Sequence, residues 1–233
     1  MSRRIAAFIR HADYQQLANT PSALQPFALN QDGIEQAQLC AVQLKKVINQ
    51  NNWHLDSAID SSSLLRAWQT ANIVSELYDD LFDEPPHITC FEALAERSVG
   101  SAANLTTKQI EQIIEDDPRF GSLPKKWKSD SNFKLPFMGA ESLLGAGERV
   151  AQHLIKQMSA LAESSDTQVK LFFGHGAAFR HAAYKLGILE FDEIAQLSMF
   201  HASPIYLEYL PNGEWQHIAG VWKVRSQHSE YTD

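Results

Sequence analysis

The sequence predicts an α/β protein, a three-layer sandwich whose mostly parallel central sheet is flanked by helices. Short apolar runs alternate with segments of helical periodicity over residues 5–186, the pattern of strands joined by helical crossovers. The runs at 5–9 and 169–173 are almost wholly apolar, as expected of strands covered on both faces. Polar residues able to do chemistry gather just after several of these runs end, where open α/β sheets bind ligands.

Residues 5–9 form the first expected strand, which delivers Arg10 and His11 to one sheet edge. A polar loop over 13–30 follows. Residues 33–51 place Ile34, Ala37, Ala41, Leu44, Val47 and Ile48 at the spacing of an amphipathic helix. A second strand is expected over 55–60, then a helix over 63–81, with Ser61 to Ser63 as amino-terminal caps and Leu64, Ala67, Ala71, Val74 and Leu77 as its apolar stripe. Pro85-Pro86 ends that region, and a strand over 87–91 precedes a helix over 106–115 capped by Thr106 or Thr107.

Between 117 and 139 the periodicity breaks at Pro118, Pro124, Pro136 and the basic run Lys125-Lys126-Trp127-Lys128, which reads as an insertion or lid. Helical spacing resumes over 141–161. A strand over 169–173 leads through Gly174-His175-Gly176 into a helix ending at 186. Strands over 205–210 and 215–221 are joined by the turn Pro211-Asn212-Gly213. One domain thus spans 1–225, and 226–233 is expected to be a disordered tail. Trp68, Trp215 and Trp222 read as core or sheet-packing residues.

A chain of 233 residues suits a single core with a modest insertion. Its 44% hydrophobic and 21% charged residues are ordinary for a globular protein, with no apolar run long enough to cross a bilayer. The first residues are basic and then apolar, but the apolar stretch stops at Arg10, too soon for a signal peptide. A cytoplasmic location is expected, and Cys40 and Cys90 suggest no disulfide framework. The net charge of −8 opposes nucleic-acid binding, so an anionic substrate must be captured by local basic groups.

Four junctions supply such groups: Arg10-His11, Ser61-Ser62 with Arg66, the stretch 92–97, and Gly174-His175-Gly176. Singly, each has an ordinary structural reading. A histidine at a strand end is more often a hydrogen-bonded structural residue, and an arginine on a helix is more often solvated. Together they make a phosphoryl-transfer set of nucleophile, guanidiniums and proton donor. His11 would need a neutral attacking nitrogen and a bond orienting the other. Arg10, Arg66 and His175 would supply positive donors to the equatorial oxygens. Glu96, with Glu92 as competitor, would protonate the leaving group, and the helix after Gly176 would add backbone N–H groups.

The motifs Arg10-His11-Ala12, Leu29-Asn30-Gln31-Asp32-Gly33, Ser61-Ser62-Ser63-Leu64-Leu65-Arg66-Ala67, Leu94-Ala95-Glu96-Arg97 and Gly174-His175-Gly176 run in order along the chain. The ordered set resembles the histidine phosphatase superfamily, also called phosphoglycerate-mutase-like, and specifically its phosphatase branch. The resemblance implies a phosphoglycerate-mutase-like fold and a cofactor-independent, metal-free phosphomonoester hydrolase. In it His11 is the phosphorylated residue, Arg10 and Arg66 bind phosphate, His175 is the second pocket histidine and Glu96 is the proton donor. Arg97, Gly176, Arg180 and His201 are candidate substrate contacts, and a small phosphorylated metabolite or phosphopeptide is the expected substrate.

Ala12 replaces a common glycine, which a strand end tolerates if its φ is negative. Ala102-Ala103-Asn104 and His201-Ala202-Ser203 depart from common family patterns near the pocket. A mutase is the alternative, but Val99 stands where mutases carry a tyrosine. A non-catalytic phospho-ligand module is another. A metal-dependent hydrolase would need closer ligand spacing than His11 and His175 offer. His54, His87, His153, His181, His217 and His228 show no partner set in the sequence and read as structural.

Overall fold

The computed structural model describes residues 2–77, 82, 84–161 and 164–225. The first strand, β1 (Arg4–Arg10), alternates across the sheet. Ile5, Ala7 and Ile9 enter one core with residues of helices α1 (Gln31–Asn51) and α2 (Leu65–Leu77). Ala6 and Phe8 enter a second core with residues of α4 (Leu143–Ala160) and α5 (Gly176–Lys185). A central strand buried on both faces cannot be alternately polar, which is why this run is apolar throughout.

Beyond β1 the sheet contains β2 (His54–Leu55), β3 (Ala58–Ser62), β4 (His87–Phe91), β5 (Gln168–Gly174), β7 (Ile205–Tyr209) and β8 (Trp215–Ala219). Its order is β4-β3-β5-β1-β7-β8, with β2 also pairing to β5. The pairs β3–β4, β3–β5 and β1–β5 are parallel, whereas β7 runs antiparallel to β1 and β8. This is the mostly parallel α/β sheet expected. The chain passes from β1 across β5 to β3, so the ends of these strands form the crevice where such sheets bind ligands.

The single strand expected over 55–60 is divided into β2 and β3 because Asp56 turns the chain, its carboxylate accepting from the Ala58 N–H at 3.0 Å. Ser61 and Ser62, expected as helix caps, are buried strand residues, and α2 begins only at Leu65. Residues 78–81, to which that helix was expected to extend, lie outside the described residues. The inner face of α2 carries Ala67, Ala71 and Val74, but Trp68 is 38% exposed and Leu77 47% exposed, so neither is a core residue. Trp215 is buried and Trp222 half-buried, as sheet-packing residues should be.

Helix α1 starts two residues earlier than expected because the Asn30 side chain accepts from the Gly33 N–H at 2.8 Å. A Cβ on Gly33 would lie 1.9 Å from the Asp13 carbonyl oxygen, so glycine there lets α1 pack against the loop leaving His11. Helix α3 (Thr107–Asp116) is closed by a capping box between Thr106 and Gln109. The segment 117–139 packs on α3, with Trp127 and Leu135 buried beside Ile110 and Ile114, and the Trp127 indole donates to Glu111 at 3.1 Å. Short α6 (Phe191–Gln196) and the two-stranded pair of β6 (Leu197–Ser198) with β9 (Lys223–Val224) have too few residues to show a period, and sequence reading missed them. The expected tail, 226–233, lies outside the described residues, as does His228.

Histidines read from the sequence as without partners do have them, among them His217, whose Nε2 lies 2.9 Å from the Ala219 carbonyl. His153 meets the Asp60 carboxylate at 2.8 Å, and Asp60 also pairs with the buried Lys170 at 3.1 Å. His181 lies between the Ala177 carbonyl at 2.7 Å and the Ser131 hydroxyl at 3.1 Å. Among the described residues no helix is long and apolar enough to cross a membrane. Cys40 and Cys90 are free thiols.

Candidate active site

The parallel register of β1 and β5 pairs Arg10 with Gly174, and the His11 N–H donates to the Gly174 carbonyl at 2.9 Å. His11 and His175 therefore leave adjacent strand ends side by side, with ring centroids 5.0 Å apart. Ser62 closes β3 next to them. Arg66 approaches from the first turn of α2 and Glu96 from the stretch after a 3₁₀ turn (Glu92–Leu94). All four junctions thus meet at one edge of the sheet.

His11 is 2% exposed, and its Nδ1 lies 2.7 Å from the carbonyl oxygen of Ala12. A carbonyl only accepts, so Nδ1 carries the proton and Nε2 the lone pair. Burial, then the charge of Arg66, hold the ring well below the usual imidazole range, with His175, Arg10 and His201 acting in the same sense. Ala12 is not among the described residues with positive φ, so alanine is tolerated there. Its N–H donates to Thr70 Oγ1 at 3.0 Å, which ties the segment carrying His11 to α2.

Arg66 is fully buried. Its Nη1 donates to the Gln25 carbonyl at 2.8 Å, and its Nη2 to the carbonyls of Ser22 at 3.2 Å and Ala23 at 3.0 Å. Nη2 also faces His175 Nδ1 at 3.2 Å, and Tyr14 lies beneath the guanidinium, its ring centroid 4.5 Å from Cζ. Arg66 Nε makes no hydrogen bond among the described residues. Because a guanidinium only donates, His175 Nδ1 accepts, and His175 Nε2–H donates to Ser62 Oγ at 2.9 Å. Burial, followed by the charges of Arg66 and Arg10, pushes His175 well down. The third positive donor expected from the sequence is a neutral imidazole in this arrangement.

Arg10 donates from Nη1 to the Met199 carbonyl at 3.0 Å. A Cβ on Gly176 would come within 3.1 Å of Arg10 Cδ and Nε, so the glycine after His175 makes room for this arginine. Glu96 is 5% exposed; its Oε1 accepts from the Arg97 N–H at 2.8 Å and its Oε2 lies 3.4 Å from the Ala177 N–H. The Ala177 amide, in the first turn of α5, thus faces a carboxylate, not an open anion position. Glu92 is exposed at the start of the 3₁₀ turn. Arg97 is buried near Glu96 and Glu141, and burial lowers its pKa despite both carboxylates. Arg180 is buried and donates to the Leu197 carbonyl at 2.7 Å. His201 comes within 5.5 Å of the His11 ring, because Ala202 adopts φ 47° and donates its N–H to the Arg10 carbonyl at 2.9 Å.

Several residues of the site were missed. Tyr14 and Gln25 lie in a polar loop with no periodic signal. Arg149 on α4 pairs with Glu141 at 2.8 Å and donates to the carbonyls of Glu92, Ala93 and Ala95, fixing the turn that delivers Glu96. Its only sequence signal is a charge eight positions after Glu141. Among the described residues no group of three or more His, Cys, Asp or Glu is placed to hold a metal ion.

A mostly parallel α/β sheet with Arg10, His11 and His175 at adjacent strand ends, and Arg66 on the helix that follows β3, has the architecture of a phosphoglycerate-mutase-like protein. The chain belongs to the histidine phosphatase superfamily, branch 1, whose family model matches residues 7–219. A mycobacterial glucosyl-3-phosphoglycerate phosphatase is 19% identical, with a TM-score of 0.64 over 96% of this chain and 98% of that one. The phosphoserine phosphatase of Entamoeba histolytica, in complex with 3-phosphoglyceric acid, is also 19% identical, with a TM-score of 0.64 over 98% and 99% of the two chains. A mycobacterial hydrolase reaches 20% identity and a TM-score of 0.68 over 98% and 94%. These identities show a shared fold. No curated protein matches the chain.

Proposed function

We propose that the protein is a phosphomonoester hydrolase acting through a phosphohistidine on His11. The observation that carries this reading is the tautomer of His11: Nδ1–H is held by the Ala12 carbonyl, leaving a neutral Nε2 as nucleophile beside Arg66 and His175. In the first step an Nε2–phosphorus bond forms as the bond from phosphorus to the ester oxygen breaks, and Glu96 gives its proton to that oxygen. In the second, water attacks phosphorus, its proton passes to Glu96, and the N–P bond breaks to release orthophosphate. Arg10 and Arg66 oppose the charge on the equatorial oxygens. For Arg66 this requires Nε, or exchange of the carbonyls of residues 22–25 for phosphate oxygens. Glu96 is buried at the cluster whereas Glu92 is exposed, which supports Glu96 over Glu92 as the proton donor.

Relatives acting on glucosyl-3-phosphoglycerate and phosphoserine support a small phosphorylated metabolite as substrate. The test is rapid quenching during turnover of p-nitrophenyl phosphate, with the expected result an acid-labile phosphate on His11. Undiminished turnover by His11→Ala would overturn the reading.

A further inference from the structure

Glu96 is aimed by its backbone. Both carboxylate oxygens face main-chain N–H groups, Oε1 that of Arg97 at 2.8 Å and Oε2 that of Ala177 at 3.4 Å. Where the carboxyl points therefore depends on how the stretch 92–98 is held. Helix α4 and the residues leading into it hold that stretch at three places. Leu94 is fully buried in the core that contains Val150, Ala151 and Leu154 of α4. Arg149 Nη1 reaches the carbonyls of Glu92 at 3.0 Å, Ala93 at 2.9 Å and Ala95 at 3.2 Å. Beyond Glu96, the Ser98 N–H donates to Glu141 Oε2 at 3.1 Å, and the Ser98 carbonyl accepts from the Glu141 N–H at 2.8 Å.

The three contacts are not equivalent. Burial of Leu94 is non-directional and sets only the depth of the turn in the core. Hydrogen bonds are directional, so a guanidinium donating to three carbonyls fixes the peptide planes just before Glu96. The same guanidinium forms a two-bond fork with Glu141, Nε to Oε1 at 2.9 Å and Nη2 to Oε2 at 2.8 Å, a geometry that lysine cannot reproduce. Burial raises the Glu141 carboxyl, but the hydrogen bonds and charge of Arg149 outweigh it and hold the group below the usual carboxylate range. The pair stays ionised near neutral pH and brackets the chain from residue 92 to residue 98.

We propose that Arg149, together with Glu141, is a positioning residue for the general acid, acting through the backbone of 92–98 to place the Glu96 carboxyl at the leaving oxygen. The assignment rests on the phosphatase reading and extends it to a side chain whose own hydrogen bonds go to Glu141 and to backbone carbonyls.

The test reads the first chemical step by single turnover for two esters. Glycerol 3-phosphate has an alkoxide that must be protonated as it leaves, whereas the phenoxide of p-nitrophenyl phosphate needs little help. Misplacing a catalytic group by about 1 Å can cost about 10²-fold, so Arg149→Met should lose about 10–100-fold on glycerol 3-phosphate and far less on p-nitrophenyl phosphate. The loss should lie in the rate and not in substrate affinity. Arg149→Lys should fall between wild type and Arg149→Met, and it carries the same comparison if Arg149→Met does not fold. Glu141→Gln should split the two esters in the same direction. Because the effect runs through Glu96, Arg149→Met combined with Glu96→Gln should be no slower on glycerol 3-phosphate than Glu96→Gln alone. Equal losses on the two esters, no loss on either, or losses that multiply in the double variant would overturn the proposal. Failure of the wild type to hydrolyse p-nitrophenyl phosphate, or hydrolysis unaffected by His11→Ala, would instead strike the underlying phosphatase reading.

Discussion

Arg66 donates to the Nδ1 of His175 at 3.2 Å, and this contact sets the tautomer of the second pocket histidine, sending its remaining proton to Ser62. The same guanidinium holds the carbonyls of Ser22, Ala23 and Gln25. One arginine therefore organises both the imidazole and the loop that covers it. With His11 2% exposed and Arg66 and His175 fully buried, these three side chains are closed off from solvent.

Replacing Arg66 should cost both stability and catalysis. Arg66→Ala leaves three buried carbonyls without their donor, at about 1–3 kcal/mol for each unsatisfied group. Arg66→Lys keeps the charge but loses the planar fork, so it should fold better and still lose at least about a hundredfold in kcat/KM. Urea unfolding read beside phosphate release separates the two effects; equal activity of Arg66→Lys and wild type would exclude a phosphate-binding role.

Glu96→Gln should slow hydrolysis of alkyl phosphates by about 10²–10⁴-fold, the usual contribution of a general acid. The loss should be much smaller in the first step for p-nitrophenyl phosphate, whose leaving group needs little protonation. Single-turnover rates for the two ester classes check this. A uniform loss across both would assign Glu96 a structural role.

Acid should destabilise the fold early. His11 and His175 are pushed well down and His181 to about 3, while in the unfolded chain a histidine titrates near 6.5. Below about pH 6.5 the unfolded state binds protons that the native state does not, so stability is fully present above that pH and is lost as pH falls toward the native values. Each histidine contributes up to about 1.4 kcal/mol per pH unit in that window. Denaturant midpoints measured from pH 7.5 to 5 should fall more shallowly in His181→Gln than in wild type.

Asp60 joins His153 and Lys170 in a buried network between the sheet and α4. Asp60→Ala takes the acceptor from His153 and one of two carboxylates from Lys170, which keeps Asp56 at 3.3 Å and the Ala58 carbonyl, so it should cost about 1–3 kcal/mol. Asp60→Asn, which can still accept a hydrogen bond, should cost less. Thermal unfolding of the two variants checks the order.

Much of the site was legible in order along the chain. Arg10 and His11 end an apolar run, His175 ends another, and parallel pairing of those runs is what an α/β alternation implies. Asn30 and Gly33 announced the start of α1 within two residues. Trp68 was misread because its helix has a narrow buried stripe, and hydrophobicity alone does not say which face a large side chain takes. Ser61 and Ser62 were misread because serine is a good cap and an acceptable strand residue alike.

By itself the sequence determined the layered α/β architecture, the strand ends carrying Arg10, His11 and His175, and membership of a phosphoryl-handling family, because periodicity and short motifs are local properties of the chain. Only the tertiary structure decided which nitrogen of His11 carries the lone pair, that His175 is neutral, that Arg66 is engaged by the carbonyls of residues 22–25, and that Arg149 and Glu141 bracket the chain around Glu96. The reason is physical. Proton positions and charge fields depend on which donor meets which acceptor across the fold, and backbone carbonyls, identical in every residue, leave no mark in the sequence.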